Sequence, residues 1–119
     1  MIFNEDQQAL LEAARKFSRE QLAPKYQQRE REARVDRDLV RKMGSLGLIG
    51  MDMPERYGGM DADAVTTGAI IEELSYGDFN VGALAVVQSL CGAIIARNGS
   101  EQIRSSWLAR RCVWRITPT

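Results

Sequence analysis

The chain has 119 residues, the length of one domain, and can bury roughly two thirds of its unfolded surface around a modest core. Its 16 Lys and Arg balance 16 Asp and Glu, so there is no basic face of the kind a nucleic-acid partner needs. With no histidine and two cysteines, Cys91 and Cys112, the usual zinc sites are excluded and no metal site is expected.

Asn4 is an N-cap with Gln7 placed to complete a capping box, and Glu5 and Asp6 stand where a helix dipole favours acids. Leu10, Leu11, Ala14, Phe17 and Leu22 share one helical stripe, and Pro24 ends this first helix or marks its last turn. Lys25 to Ala33 is charge-dense and reads as a short solvated helix or connector. Asp36 or Asp38 caps a third helix carrying Leu39, Met43 and Leu46, with Gly47 at C′. Leu48 to Met53 is apolar and predicted extended, and Tyr57-Gly58-Gly59 is predicted to turn.

Asp61 or Asp63 caps a fourth helix whose buried side is Val65, Ala69, Ile70 and Leu74. Gly77 stops it and Asn80 is expected to cap a fifth. That fifth helix, about 81–97, is apolar nearly all round. Gly82, Gly92, Gln88 and Ser89 dilute it, so it reads as a central core helix and not as a membrane span. Asn98-Gly99 ends it, and Ser100 caps a sixth containing Ile103, Trp107 and Leu108. The predicted fold is an all-α bundle of five to six helices around the fifth. Cys91, in the apolar run, is a small core residue, and a reduced thiol is expected. The N-terminal Met1 to Asp6 has neither a basic leader nor an apolar signal core, which predicts a cytoplasmic protein.

The chemistry-bearing patterns are sparse. Gly44, Gly47 and Gly50 follow a helix and lead to an apolar run, whereas a dinucleotide fingerprint follows a strand and opens a helix. Glu72 and Glu73 are adjacent and so point to different sides of their helix. No catalytic constellation is expected. The most suggestive surface is on the fifth helix. Gly82, Ala83, Val86 and Leu90 share a face with small residues at one end. Such a face either leaves room for a chain-like ligand or lets helices pack closely.

The order of several short pieces carries a family resemblance over roughly Asn4 to Leu108. They are Asp6-Gln7-Gln8-Ala9-Leu10-Leu11, Phe17 to Pro24, Leu39 to Gly44, Leu46 to Gly50, Met53 to Gly59, Glu72-Glu73-Leu74, Ser89-Leu90-Cys91 and Gly99 to Gln102. In this order the chain resembles the N-terminal helical domain of the acyl-CoA dehydrogenases, a family of FAD flavoenzymes. The resemblance implies a larger subunit with a middle β-domain and a C-terminal helical domain. It also implies FAD, an acyl-CoA substrate and a homo-oligomer or a partner supplying the other domains. The family's fifth helix lines the acyl pocket, which implies Gly82, Ala83, Val86 and Leu90 as substrate-binding residues; no cofactor-binding residue is assigned.

After Trp107-Leu108 this family pattern continues through a Pro and a Gly-Glu into a strand with Thr-Glu-Pro, whereas here 109–119 reads ARRCVWRITPT. The expected division is therefore a helical domain at 1–108 and a divergent tail at 109–119. Truncation, a shifted frame, a fragment of a longer gene or a split enzyme are the expected origins. The chain alone is expected to be inactive and not to bind FAD. Two alternatives stand beside this reading: a non-catalytic helical interaction module, and a domain of a related flavin monooxygenase.

Overall fold

The computed structural model describes residues 3–108 and residue 110. The tail at 109–119, Arg110 apart, and Cys112 with it, lies outside the described residues. Helix α1 spans Glu5–Phe17, with the Asn4 side chain accepting from the Gln7 amide at 2.8 Å and the Gln7 side chain accepting from the Asn4 amide at 2.9 Å. The chain does not stop at Pro24. It passes from α1 through a π-turn, Ser18–Leu22, into a 3₁₀ turn, Ala23–Lys25, where Pro24 stands early and its missing N–H costs nothing. Helix α2 (Tyr26–Glu32) ends at Ala33, which takes φ 54°.

Asp36 caps α3 (Arg37–Ser45). Gly47 follows at φ +76°, the left-handed position that a C′ residue requires. The expectation of an extended segment at Leu48 to Met53 is corrected. This stretch is a run of turns and bends, because Leu48, Ile49, Met51 and Met53 all bury and a straight strand would send alternate side chains to solvent. The returning loop is tied to it by Met60 and Ala62 amides, both donating to the Met51 carbonyl, and by the Asp61 amide donating to the Met53 carbonyl. A 3₁₀ turn at Glu55–Tyr57 closes on Gly58 at φ 98°.

Asp63 caps α4 (Ala64–Gly77), accepting from the Thr66 amide at 2.7 Å. Helix α5 spans Phe79–Asn98. Its cap is Asp78, whose side chain accepts from the Asn80 amide at 2.9 Å, so Asn80 is the second helical residue and not the cap. Asp78 is the residue with extended backbone at the break, φ −158°, which the cap position demands. Ser100 caps a short α6 (Glu101–Ile103), followed by a π-turn at Arg104–Leu108.

The all-α class stands: no strand occurs among the described residues. The main core joins α1, α3, α4 and the start of α5 through Ala14, Phe17, Leu22, Met43, Leu48, Ile70, Leu74 and Val81. A smaller cluster of Met53, Tyr57 and Leu108 packs under the C-terminal end of α5. The bundle is 19 Å through its thinnest direction. That is about two helix diameters, so each long helix has an outer face. This corrects the central position expected of α5: it packs along one side, and only 22% of its most apolar stretch is buried.

Candidate functional site: an apolar stripe on the fifth helix

The stripe is positioned by a charged corner at the start of α5. Asp78, 2% exposed, accepts from Arg29 Nε at 2.7 Å while its other oxygen caps α5. Arg29 also donates to the Leu22 carbonyl, so one guanidinium joins the end of the first helical segment, α2 and the α4–α5 junction. Glu30 accepts from the Asn80 side chain at 2.7 Å beside it. The charge-dense segment is thus not only a solvated face. Nothing local marks Arg29 among its charged neighbours, because its partner lies 49 positions away.

Close contact fixes the inner side of α5. A Cβ on Gly82 would lie 1.8 Å from Ser75 Oγ, so only glycine lets α5 approach α4 at this crossing. A Cβ on Gly92 would meet the flexible end of Met53, 2.5 Å from its Sδ. The Ser89 hydroxyl donates to the Asp52 carboxylate, tying the middle of the helix to the turn-rich segment. Ser75 Oγ itself donates to the Ile71 carbonyl at 2.7 Å.

The outer side carries the stripe. Phe79, Ala83, Val86, Val87, Leu90 and Ile94 fall within an arc of roughly 100° on α5. Their large members are well exposed: Phe79 70%, Leu90 61%, Ile94 54%, Val87 53% and Val86 47%. Tyr76, at the end of α4, extends the apolar surface and holds Arg19 over its ring at 5.3 Å. Of the four sequence-derived site residues, the structure brings Ala83, Val86 and Leu90 together on this surface. Gly82 is buried and belongs to the α4 contact, off the edge of the stripe.

By length and composition α5 is apolar enough to cross a membrane, with mean hydropathy 1.8. A core or domain-interface helix of a soluble protein meets the same description, and here one side is built to pack on α4.

Polar groups elsewhere serve the fold. Glu73 pairs with Arg15 at 2.9 Å and so joins α4 to α1, raising the guanidinium pKa through that hydrogen bond, while Glu72 is exposed. Burial, then the hydrogen bond to Glu101, pushes the Tyr57 hydroxyl pKa up. A groove of about 500 Å³ runs between α4 and α5, with Thr67, Gly68 and Ile71 on one wall, Ala93 and Ala96 on the other, and Asp52 and Arg97 at its edges. Among the described residues no group of three or more Asp, Glu or Cys side chains stands together as a metal site.

Neither the glycine-rich turn nor the stripe fits a flavin dinucleotide. A phosphate cradle needs free backbone amides, and in the glycine-rich turn those of Gly47 and Leu48 donate to the Gly44 and Met43 carbonyls at 3.1 and 2.9 Å. The stripe offers no side-chain donor to an isoalloxazine edge, being aliphatic and phenyl throughout.

Comparison with known proteins adds a lineage to this geometry. Residues 4–113 match the family model described as acyl-CoA dehydrogenase, N-terminal domain. The human mitochondrial short-chain specific acyl-CoA dehydrogenase is 34% identical over 105 residues, covering 87% of this chain and 26% of that protein. The rat mitochondrial long-chain specific enzyme is 28% identical over 122 residues, covering 99% of this chain and 28% of its own length. A glutaryl-CoA dehydrogenase from Mycobacterium smegmatis, solved in complex with FADH2, superposes with a TM-score of 0.84 at 28% identity, covering 93% of this chain and 29% of that one. The chain thus spans little more than a quarter of the length of the curated relatives it matches.

Proposed function

We propose, from the premise that this chain belongs to the acyl-CoA dehydrogenase family as its N-terminal domain, that α5 forms one wall of an acyl pocket. The enzyme's reaction would be α,β-oxidation of an acyl-CoA thioester. The observation that carries the reading is the exposed stripe of Ala83, Val86 and Leu90. It is apolar, about 22 Å long from Phe79 to Ile94, and held rigid by packing on its inner side.

In such an enzyme FAD supplies the hydride acceptor. Neither the glycine-rich turn nor the stripe of this chain is suited to hold it, which supports placing the cofactor chiefly against other parts of the assembly. The part of α5 is to bind and orient. Buried against the stripe, an acyl chain gains the transfer free energy of its methylenes and is restrained along the helix. Water is displaced from the same surface as the remaining walls close on it. No carboxylate stands on the stripe, so no acid–base role is assigned to this chain.

The test is photo-crosslinking. An acyl-CoA with a diazirine near the end of its chain is irradiated with the 119-residue protein, and the labelled peptide is mapped by mass spectrometry. Labels should concentrate between Ala83 and Ile94 and compete away with unlabelled acyl-CoA. Labelling spread over the surface, or confined to another helix, overturns the assignment.

A further inference from the structure

We infer that the groove between α4 and α5 is the seat of an extended apolar and basic segment, and that residues 111–117 of this same chain occupy it. The inference does not draw on the acyl-pocket reading, since the groove lies on the α4-facing flank of α5, beside the stripe. Its walls are small. Ala64, Gly68 and Ile71 stand about one turn apart on α4, and Ser89, Ala93 and Ala96 do so on α5. Gly68 is an exposed residue inside a helix, where glycine is unfavourable, yet a Cβ there would meet nothing within 4 Å. No contact among the described residues calls for a glycine, and its bare Cα lets a second backbone lie deep in the groove. Thr67, 6% exposed, lines the same groove with a hydroxyl that no described group satisfies. A segment seated there brings the backbone donors and acceptors that would satisfy it.

The occupant is named by where the chain goes. Leu108, fully buried, packs with Met53, and Ala96 packs against the same cluster. Met53 and Ala96 are also walls of the groove, so the chain leaves its last buried residue at the groove's end. Along α5 the run from Ala96 back to Ser89 is about 10 Å, which roughly three to four extended residues span. From Arg111 the sequence alternates. Cys112, Trp114 and Ile116 form one face of an extended segment, and Arg111, Arg115 and Thr117 stand on the other with Val113. Laid in the groove, the first face buries a tryptophan, which removes about 150–250 Å² from water. Arg115 then pairs with Asp52 at the groove's edge. That carboxylate accepts from the Ser89 hydroxyl through one oxygen and has no cation bonded to it among the described residues. The stripe is the competing apolar surface, but it is convex and carries no carboxylate to meet an arginine.

The experiment uses Cys112 of the full chain as its probe. In a Cys91→Ala background a second cysteine is placed at Ala93 in the groove or at Ala83 on the stripe, and dilute protein is oxidised in a glutathione buffer. Disulfides are mapped by mass spectrometry without reduction. The Ala93→Cys chain should close at least roughly tenfold faster than the Ala83→Cys chain, because docking raises the local thiol concentration. Adding Arg115→Glu should slow closure roughly two- to fivefold, the range of an exposed ion pair. Adding Gly68→Leu, at an exposed helical position, should keep helicity, fill the groove and slow closure to the Ala83→Cys rate. Faster closure at Ala83, or equal closure at both positions, overturns the assignment. So does a rate that neither Arg115→Glu nor Gly68→Leu changes in chains of unaltered circular dichroism, since neither charge nor shape would then hold the segment. Disulfides that join two molecules in place of one mean that a second copy fills the groove, and they remove residues 111–117 of the same chain as its occupant.

Discussion

Arg29 and Asp78 form a nearly dry ion pair, Nε to Oδ2 at 2.7 Å, with side chains 11% and 1% exposed. The pair clamps the charge-dense second helix to the corner from which α5 springs. A buried pair is costly to break from one side, because the remaining charge keeps its desolvation penalty without compensation. Arg29→Met should therefore destabilise the protein by about 3–5 kcal/mol. The double variant Arg29→Met/Asp78→Asn should recover part of that, since Asn caps a helix and carries no charge. Urea denaturation of the three proteins measures both; equal stability of wild type and Arg29→Met would show that the pair does not form.

Leu90 lies at the middle of an apolar helix, yet it is 61% exposed. Leu90→Asp should keep native helicity and shift the melting temperature little. Leu74→Asp, at a fully buried position of α4, should unfold the chain. Circular dichroism melts decide between the two. Loss of structure in Leu90→Asp would put α5 back at the centre of the bundle.

The Gly82–Ser75 crossing makes a prediction of its own. Gly82→Ala drives a Cβ into Ser75 Oγ and should cost about 1–3 kcal/mol as the helices part. Ser75→Gly in the same chain should return part of this, although the Ser75 Cα at 3.1 Å still crowds the new methyl. A double-mutant cycle that showed simple additivity would mean that the two positions do not touch.

Acid should weaken the start of α4. The Thr66 amide, and then its hydroxyl, hold the Asp63 carboxyl below its ordinary value of 3.8. A folded pKa below the unfolded one gives stability that is complete above the unfolded value and is lost as pH falls through the folded value. The melting-temperature gap between wild type and Asp63→Ala should thus be full at pH 7, begin to close below about pH 4 and be smallest near pH 2. A gap of constant size across that range would mean that the cap does not depend on the charge.

The exposed stripe should also drive association. Contiguous apolar surface of this kind favours contact with other molecules. The wild-type chain should self-associate with rising concentration in light scattering, and Val86→Glu/Leu90→Glu should reduce this while leaving helicity unchanged. Monomeric behaviour of the wild type at high concentration would mean that the stripe is covered in solution.

What the sequence determined by itself was local. The Asn4–Gln7 capping box, the Ser100 cap, the left-handed Gly47 and the Gly58 turn each depend on residues within about one helical turn, so their physics is written in adjacent letters. The grouping of Ala83, Val86 and Leu90 was legible for the same reason, since helical periodicity alone puts them on one face.

The tertiary structure decided what neighbours could not. An all-round apolar helix does not say which of its sides will be covered, and a two-layer bundle left one side of α5 bare. Gly82 left the stripe because Ser75 faces it from another helix, and Asp78 took the cap because α5 starts directly after the Gly77 end of α4, two residues before the expected Asn80 cap. Leu48 to Met53 folded into turns because four of its side chains found the core together. Arg29 looked like any residue of a charge run until Asp78 met it. Burial and ion pairing are set by distances through space, and chain separation of tens of residues carries no trace of them.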